Sequence, residues 1–173
     1  AIAKHGFAPE EVAAKRPGII YVNLSAYGHV GPWSTWRGFD SLVQSATGIV
    51  HEGMIESGTN KPCPLPCQAL DHATGYLAAF GAMIALKRRL EEGGSWMVRV
   101  SLAHTGKWFN DLGRVEGLKT KKPSRVEISD LLEKHDSPFG IIEHVRPPEN
   151  FSETQPYWST GSVPLGSNEP RWQ

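Results

Sequence analysis

Asp71 is the residue in this sequence best placed to do covalent chemistry. It heads the run His72-Ala73-Thr74-Gly75-Tyr76-Leu77-Ala78-Ala79-Phe80-Gly81-Ala82-Met83-Ile84-Ala85-Leu86, which is apolar almost all round and so predicts a buried helix. Two roles are open to its carboxylate. Asp is a preferred N-cap, because its oxygens accept the unpaired N–H groups of a first helical turn. The same setting orients a carboxylate and favours its ionised form, which suits a nucleophile toward an activated acyl group. Lys87, Arg88 and Arg89 suit the C-terminal dipole of the helix, and Gly93-Gly94 can take the positive φ that ends one. Trp96 to Leu102 then alternates as a strand.

A second group of candidates sits after another strand. Ile19 to Ala26 is short, rich in β-branched and aromatic residues and bounded by turn signals, which predicts a buried strand of a parallel sheet. The loop from Tyr27 to Trp33 follows it, and in open α/β sheets such loops line the ligand crevice. Ser25 and Tyr27 can donate hydrogen bonds there, and Gly28 and Gly31 let a ligand approach the backbone. Each has a plain alternative: a tyrosine at a strand end also packs, and Gly-Pro also marks a turn. Gly38 to Gly48 predicts a helix with Phe39, Leu42, Val43 and Ala46 on its apolar face.

The other elements position these residues. Pro9 to Lys15 predicts a short helix, acidic at its start and basic at its end. Val50 to Pro66 is polar, without periodicity and Pro-containing, which predicts a long loop leading to Asp71. Cys63 and Cys67 lie in it, and with no matching ligands nearby they are expected as free thiols, not a metal half-site. The small residues of the Asp71 helix, Gly75, Ala78, Ala79, Gly81, Ala82 and Ala85, predict close approach of neighbouring backbones. A helix from about Ser101 to Gly113 follows, with His104 expected to be structural. Residues 128–134 predict a short helix and residues 139–145 a strand, and the Pro-, Ser- and Gly-rich remainder predicts an extended tail docked by aromatics such as Trp158 and Trp172.

The chain has 173 residues, with 18 basic and 18 acidic side chains and no formal net charge. This is enough for a real core, and it supplies neither the basic surface of a nucleic-acid binder nor that of a protein held on an anionic membrane. No apolar run reaches the length of a bilayer span and no signal peptide is evident, so a cytoplasmic location is expected. Ala1 is not an initiator methionine, and the opening reads as the inside of something longer.

Three blocks carry a resemblance. Arg16 to Gly28, then Gly38-Phe39-Asp40 with Gln44 and Gly48, then Asp71 through Leu102 together resemble the class III CoA-transferases, the family that includes formyl-CoA and carnitine CoA-transferases and the 2-methylacyl-CoA racemases. The resemblance implies an α/β fold with a Rossmann-like parallel sheet flanked by helices, part of the family's large domain, with an extended C-terminal tail. Residues 1–116 would be that core segment, 117–125 a basic linker, and 126–173 a helix-strand segment and tail.

It also implies that Asp71 is the acyl-accepting nucleophile. An aspartyl-acyl anhydride would form, and CoA would pass from an acyl-CoA thioester to a carboxylic acid. The oxyanions formed on the way would be expected to take N–H donors from Tyr27-Gly28 or the helix start. Ser25, Tyr27, Gly28 and Phe39 would contact the substrate or its CoA, with no metal and no cofactor beyond the CoA thioester. Racemases of the family carry a catalytic histidine at the position of Phe39, and phenylalanine cannot transfer a proton, so acyl transfer is favoured over racemisation. The first strands and the small domain of typical members have no counterpart here. The resemblance therefore also implies a fragment or non-catalytic subunit as an alternative, completed by a second copy or by a chain supplying those parts.

Overall fold

The computed structural model describes residues 2–115 and 121–171, arranged in two compact units, Ala1–Glu116 and Gly117–Gln173. The first unit runs from a 3-10 turn at Ile2–His5 through α1 (Pro9–Lys15), β1 (Ile20–Ser25), α2 (Asp40–Ala46) and α3 (Ile49–Glu56). It continues with α4 (Ala69–Glu92), β2 (Trp96–Ser101) and α5 (Leu102–Asp111). β1 and β2 pair in parallel, from Ile20 opposite Trp96 to Ser25 opposite Ser101. With helices packed against this sheet, the unit has the α/β architecture expected.

α4 lies along both strands and against α5, and two features of its sequence set that position. At Gly81 the backbone comes so close to β2 that an added Cβ would stand 2.6 Å from a Val98 methyl, which is the packing role expected of the small residues. At the other end, Arg89 Nη1 donates to Gly18 O at 2.9 Å. The arginine thus ties the last turn of the helix to the turn before β1. Arg88 lies over the Trp96 ring, 5.3 Å from its centroid, adding a cation–π contact. Between α4 and α5 the buried hydroxyls of Thr74 and Thr105 meet at 2.6 Å, and Thr105 also donates to Ser101 O.

The core gathers below the start of α4: Ala26, Val43, Ile49, Leu70 and Leu102 are buried together, with Tyr27, Leu65, Ala103 and Phe109 packed around them. Several expectations are corrected here. α4 is not buried all round. Tyr76, Phe80, Met83, Leu86 and Leu90 are exposed, because a sheet of two strands covers one face of the helix only. Val22 and Leu24 of β1 are exposed for the same reason.

The expected loop from Val50 to Pro66 begins as helix. α3 starts at Ile49, and its Gly53 lies so close to the Cys63 carbonyl that no side chain would fit between them. α4 is 24 residues long and among the described residues is the one helix long and apolar enough, by length and composition, to cross a bilayer, where no run of that length was expected.

In the second unit a 3-10 turn at Ser129–Leu131 leads into β3 (Leu132–Ser137), which pairs antiparallel with β4 (Gly140–Val145). β4 matches the expected strand. The expected helix over 128–134 is reduced to that single turn, since β3 is recruited by its partner strand. Residues 146–171 carry no regular element, and Phe151, Tyr157 and Trp158 are exposed rather than docked within the unit. Trp172 and residues 116–120 of the basic linker region lie outside the described residues.

Candidate active site

Asp71 is not the cap of its helix. The N-cap position is Gln68, and Asp71 is the third residue of α4, in the first turn. The capping carboxylate comes instead from Asp40, which is 1% exposed at the start of α2. One of its oxygens, Oδ2, accepts from the backbone N–H of Leu70 at 2.8 Å and of Asp71 at 3.1 Å. The other, Oδ1, accepts from the side-chain amide of Gln44, one turn further along α2. Gln44 in turn accepts from Leu65 N at 2.9 Å, which fixes the segment entering α4.

The consequence for Asp71 is direct. Its backbone is held by a buried anion while its own carboxylate is left at the surface, beside His72, Gly75, Tyr76 and Ala79 in an open depression. A carboxylate in the first turn of a helix is stabilised as an anion by the helix dipole. The Asp71 carboxylate is accessible, as a nucleophile must be. The carboxylate that caps α4 and the accessible carboxylate of its first turn are different residues.

Ser25 and Gly28 belong to a separate feature. Ser25 Oγ accepts from Gly28 N at 3.1 Å, and Gly28 has φ of 97°, a conformation that favours glycine. Gly28 and His29 line a cavity with Leu77 and Gly81 of α4 and with Val98 to Ser101, His104 and Thr105. The cavity lies where the carboxyl ends of the two strands meet, the position that open α/β sheets use for ligands. It is lined by a different part of α4 from the depression at Asp71, so Gly28 and Asp71 do not share one pocket. Tyr27 packs against the core and edge-on to Trp33, which stacks on Trp36.

Gly38 links the two regions. A Cβ there would lie 2.8 Å from Ala26 Cβ and 3.2 Å from the Tyr27 ring, so only glycine lets the chain pass this close before turning into α2 at Asp40.

Phe39 departs from expectation. It precedes α2 as its N-cap residue and is 78% exposed, so it belongs to no apolar helix face. Its place beside Asp40 nonetheless sets it next to the residue that grips the backbone of Asp71. Several of the expected oxyanion donors have acceptors within the chain. Gly28 N is held by Ser25, Leu70 N and Asp71 N by Asp40, and His72 N by Gln68 O.

Two contributors were missed. Asp40 and Gln44 appeared only as part of a family block, although an Asp and a Gln four apart on an apolar helix signal a side-chain pair. His104, expected to be structural, has Nδ1 3.4 Å from Oγ of the N-cap Ser101 and also lines the strand-end cavity. Cys63 and Cys67 are free, as expected.

The described parts are a parallel sheet flanked by helices, a strand-end cavity and an accessible aspartate in the first turn of a long helix. The description of CoA-transferase family III matches residues 1–127, and the chain belongs to that family. It is 34% identical to (R)-2-hydroxy-4-methylpentanoate CoA-transferase of Clostridioides difficile over 61% of this chain and 26% of that protein. It is 30% identical to an acetyl-coenzyme A transferase of Hypoxylon pulicicidum over 78% of this chain and 22% of that protein.

Among solved structures, Rv3272 of Mycobacterium tuberculosis superposes with a TM-score of 0.56 at 30% identity, over 64% of this chain and 31% of that one. A CAIB/BAIF family protein of Brucella suis shares the fold, with a TM-score of 0.55 at 20% identity over 81% of this chain and 38% of that one. The chain thus spans about a quarter of the length of the curated relatives it matches.

Proposed function

We propose that this chain is the part of a CoA-transferase that carries the nucleophile, and that Asp71 is that nucleophile. The observation supporting this most is the division of labour between Asp40 and Asp71. The buried carboxylate satisfies the helix start, and the accessible one is left for chemistry.

In the reaction, an Asp71 oxygen attacks the thioester carbonyl of an acyl-CoA, the C–S bond breaks, and an aspartyl-acyl anhydride and CoA thiolate result. The thiolate attacks the aspartyl carbonyl of the anhydride, releasing the donor acid as its carboxylate and leaving an aspartyl-CoA thioester. The acceptor carboxylate then repeats the two steps in reverse order, takes the CoA, and regenerates Asp71. Each step exchanges one acyl bond for another, so the activation of the thioester is retained. Gly28 N and the N–H groups of Leu70, Asp71 and His72 have acceptors within the chain, so an oxyanion at any of them would have to displace one.

Ser25, Tyr27, Gly28 and Phe39 are assigned to the binding of acyl-CoA, with Phe39 offering an exposed apolar ring and no proton to exchange. The exposed apolar faces of α4 and β1 support assembly with a second copy or with further segments of the transferase. Sedimentation with and without such a segment tests that assembly.

The chemical test is trapping. The polypeptide is incubated with a panel of acyl-CoA thioesters and hydroxylamine, and Asp71 is examined by mass spectrometry for hydroxamate, with Asp71→Ala as control. Hydroxamate at Asp71 supports the mechanism and identifies the donor. A folded chain that gives none with any donor, alone and when completed by its partner segments, refutes it.

A further inference from the structure

We propose that the β3–β4 hairpin is a binding site for a divalent transition-metal ion of the zinc class, with Glu133, His135 and His144 as its ligands. The register places them on one face. Glu133 stands directly opposite His144, and His135 follows Glu133 by two residues, the interval that returns a strand to the same face. All three are half-buried.

Their ligand atoms converge. Glu133 Oε1 lies 3.4 Å from His144 Nε2 and 3.7 Å from His135 Nε2, and one such atom from each residue lies within 4.8 Å of the others. These separations are longer than a good hydrogen bond. They approach the roughly 3.3 Å between neighbouring ligand atoms around a tetrahedral ion with bonds of about 2.0–2.1 Å.

The imidazoles are prepared for this role. His144 Nδ1 is 2.9 Å from the Val145 carbonyl oxygen, and a hydrogen bond there places the proton on Nδ1. The Nε2 lone pair is then left facing Glu133. Histidines that bind metals characteristically donate their second nitrogen in this way. The two rings stack with centroids 5.2 Å apart and planes 8° from parallel, so the imidazoles lie side by side and a modest turn of either ring brings both Nε2 atoms toward one ion.

Two cations near the hairpin are engaged by Glu143, while Arg146 lines a depression with Glu133. Lys134 and Arg125 both pair with Glu143, which stands opposite Lys134. Two imidazoles and a carboxylate suit zinc among common divalent ions, and water completes the coordination. The hairpin lies beyond the residues matched by the transferase family, so this inference does not depend on the proposed function.

The test uses untagged full chain carrying Cys63→Ser and Cys67→Ser, which removes the only thiols. Zn2+ is titrated by calorimetry, and Co2+ is followed by its visible d–d absorption. The expected result is one equivalent of Co2+ with a low-coordinate nitrogen and oxygen spectrum, displaced by one equivalent of Zn2+. Glu133→Gln, His135→Gln or His144→Gln alone should each weaken binding by at least the roughly 10- to 100-fold that even an outer-shell partner costs. His104→Gln should leave it unchanged. Circular dichroism establishes that each variant is folded. Absence of a one-equivalent site in the folded chain, or binding that survives the triple substitution, would overturn the proposal.

Discussion

Replacing Asp40 tests the arrangement that frees Asp71 for chemistry. The Asp40 carboxylate accepts from Leu70 N, Asp71 N and the Gln44 amide while 1% exposed. Hydrogen bonds to a charged group contribute about 1.5–3 kcal/mol each, and a buried donor left unpaired costs about 1–3 kcal/mol. Asp40→Ala strands two backbone donors and an amide, but water entering the vacated space relieves some of them. A loss of about 4 kcal/mol is therefore expected. With an m value of about 2 kcal/mol per molar urea, the unfolding midpoint falls by about 2 M.

Asp40→Asn separates charge from shape. Its one oxygen can keep the Leu70 and Asp71 donors, but its amide then faces the Gln44 amide. Flipping Gln44 to relieve that clash sacrifices the bond from Leu65 N. The expected cost is intermediate, about 1–3 kcal/mol. Urea unfolding followed by circular dichroism gives the stabilities, and amide exchange at Leu70 and Asp71 reports the cap locally. A midpoint for Asp40→Ala within 0.5 M of the unsubstituted chain, a bound set at roughly 1 kcal/mol by the same m value, would show that this carboxylate does not hold the start of α4.

Other outcomes follow from particular contacts. Gly81→Ala places a methyl 2.6 Å from Val98 Cγ1 and should cost about 1–2 kcal/mol, whereas in a Val98→Ala background the same change should be neutral or stabilising, read as a double-mutant cycle. Thr105→Val removes the acceptor of the fully buried Thr74 hydroxyl and should cost about 2 kcal/mol. Thr74→Val leaves Thr105 donating to Ser101 O and should cost about 1 kcal/mol, so reversed costs in thermal unfolding would disprove this direction of donation. Asp71→Ala should abolish the acyl adduct while moving the urea midpoint by less than about 0.5 M, since an exposed side chain outside a special contact changes stability by about 0.5 kcal/mol or less.

The parts of the fold legible in the sequence are those specified locally. α1 and β1 announce themselves by charge order and by β-branched residues. The stretch from α4 to β2 carries a long apolar run, terminal cations and a Gly-Gly stop. What was illegible depends on partners outside the segment itself. Leu132-Glu133-Lys134-His135-Asp136-Ser137 has little apolar content and becomes a strand because β4 pairs with it.

α3 lacks a clear apolar stripe and is held by the close pass of Gly53 to Cys63. At the site, the importance of Asp71 could be read from its place at the head of the helix. Its freedom from the capping role could not, because the true cap is supplied from 31 residues earlier and no local spacing reveals it. Phe39 looked apolar and helical, but it falls one residue before the helix starts.

The parallel pairing of β1 with β2 also sets an order of events. Every partner in that ladder lies 76 positions away along the chain, as Ile20 with Trp96 and Ser25 with Ser101. Closing so long a loop is entropically unfavourable until the intervening helices have shortened it. The β3–β4 hairpin joins residues as near as Ser137 and Gly140, and such hairpins form in roughly 1–10 μs. The two units should therefore mature on different clocks, the hairpin early and the parallel ladder late. Among the described residues β1 and β2 have only each other as partners, so their outer backbone edges are open to pairing with other chains and yield on refolding should fall as protein concentration rises.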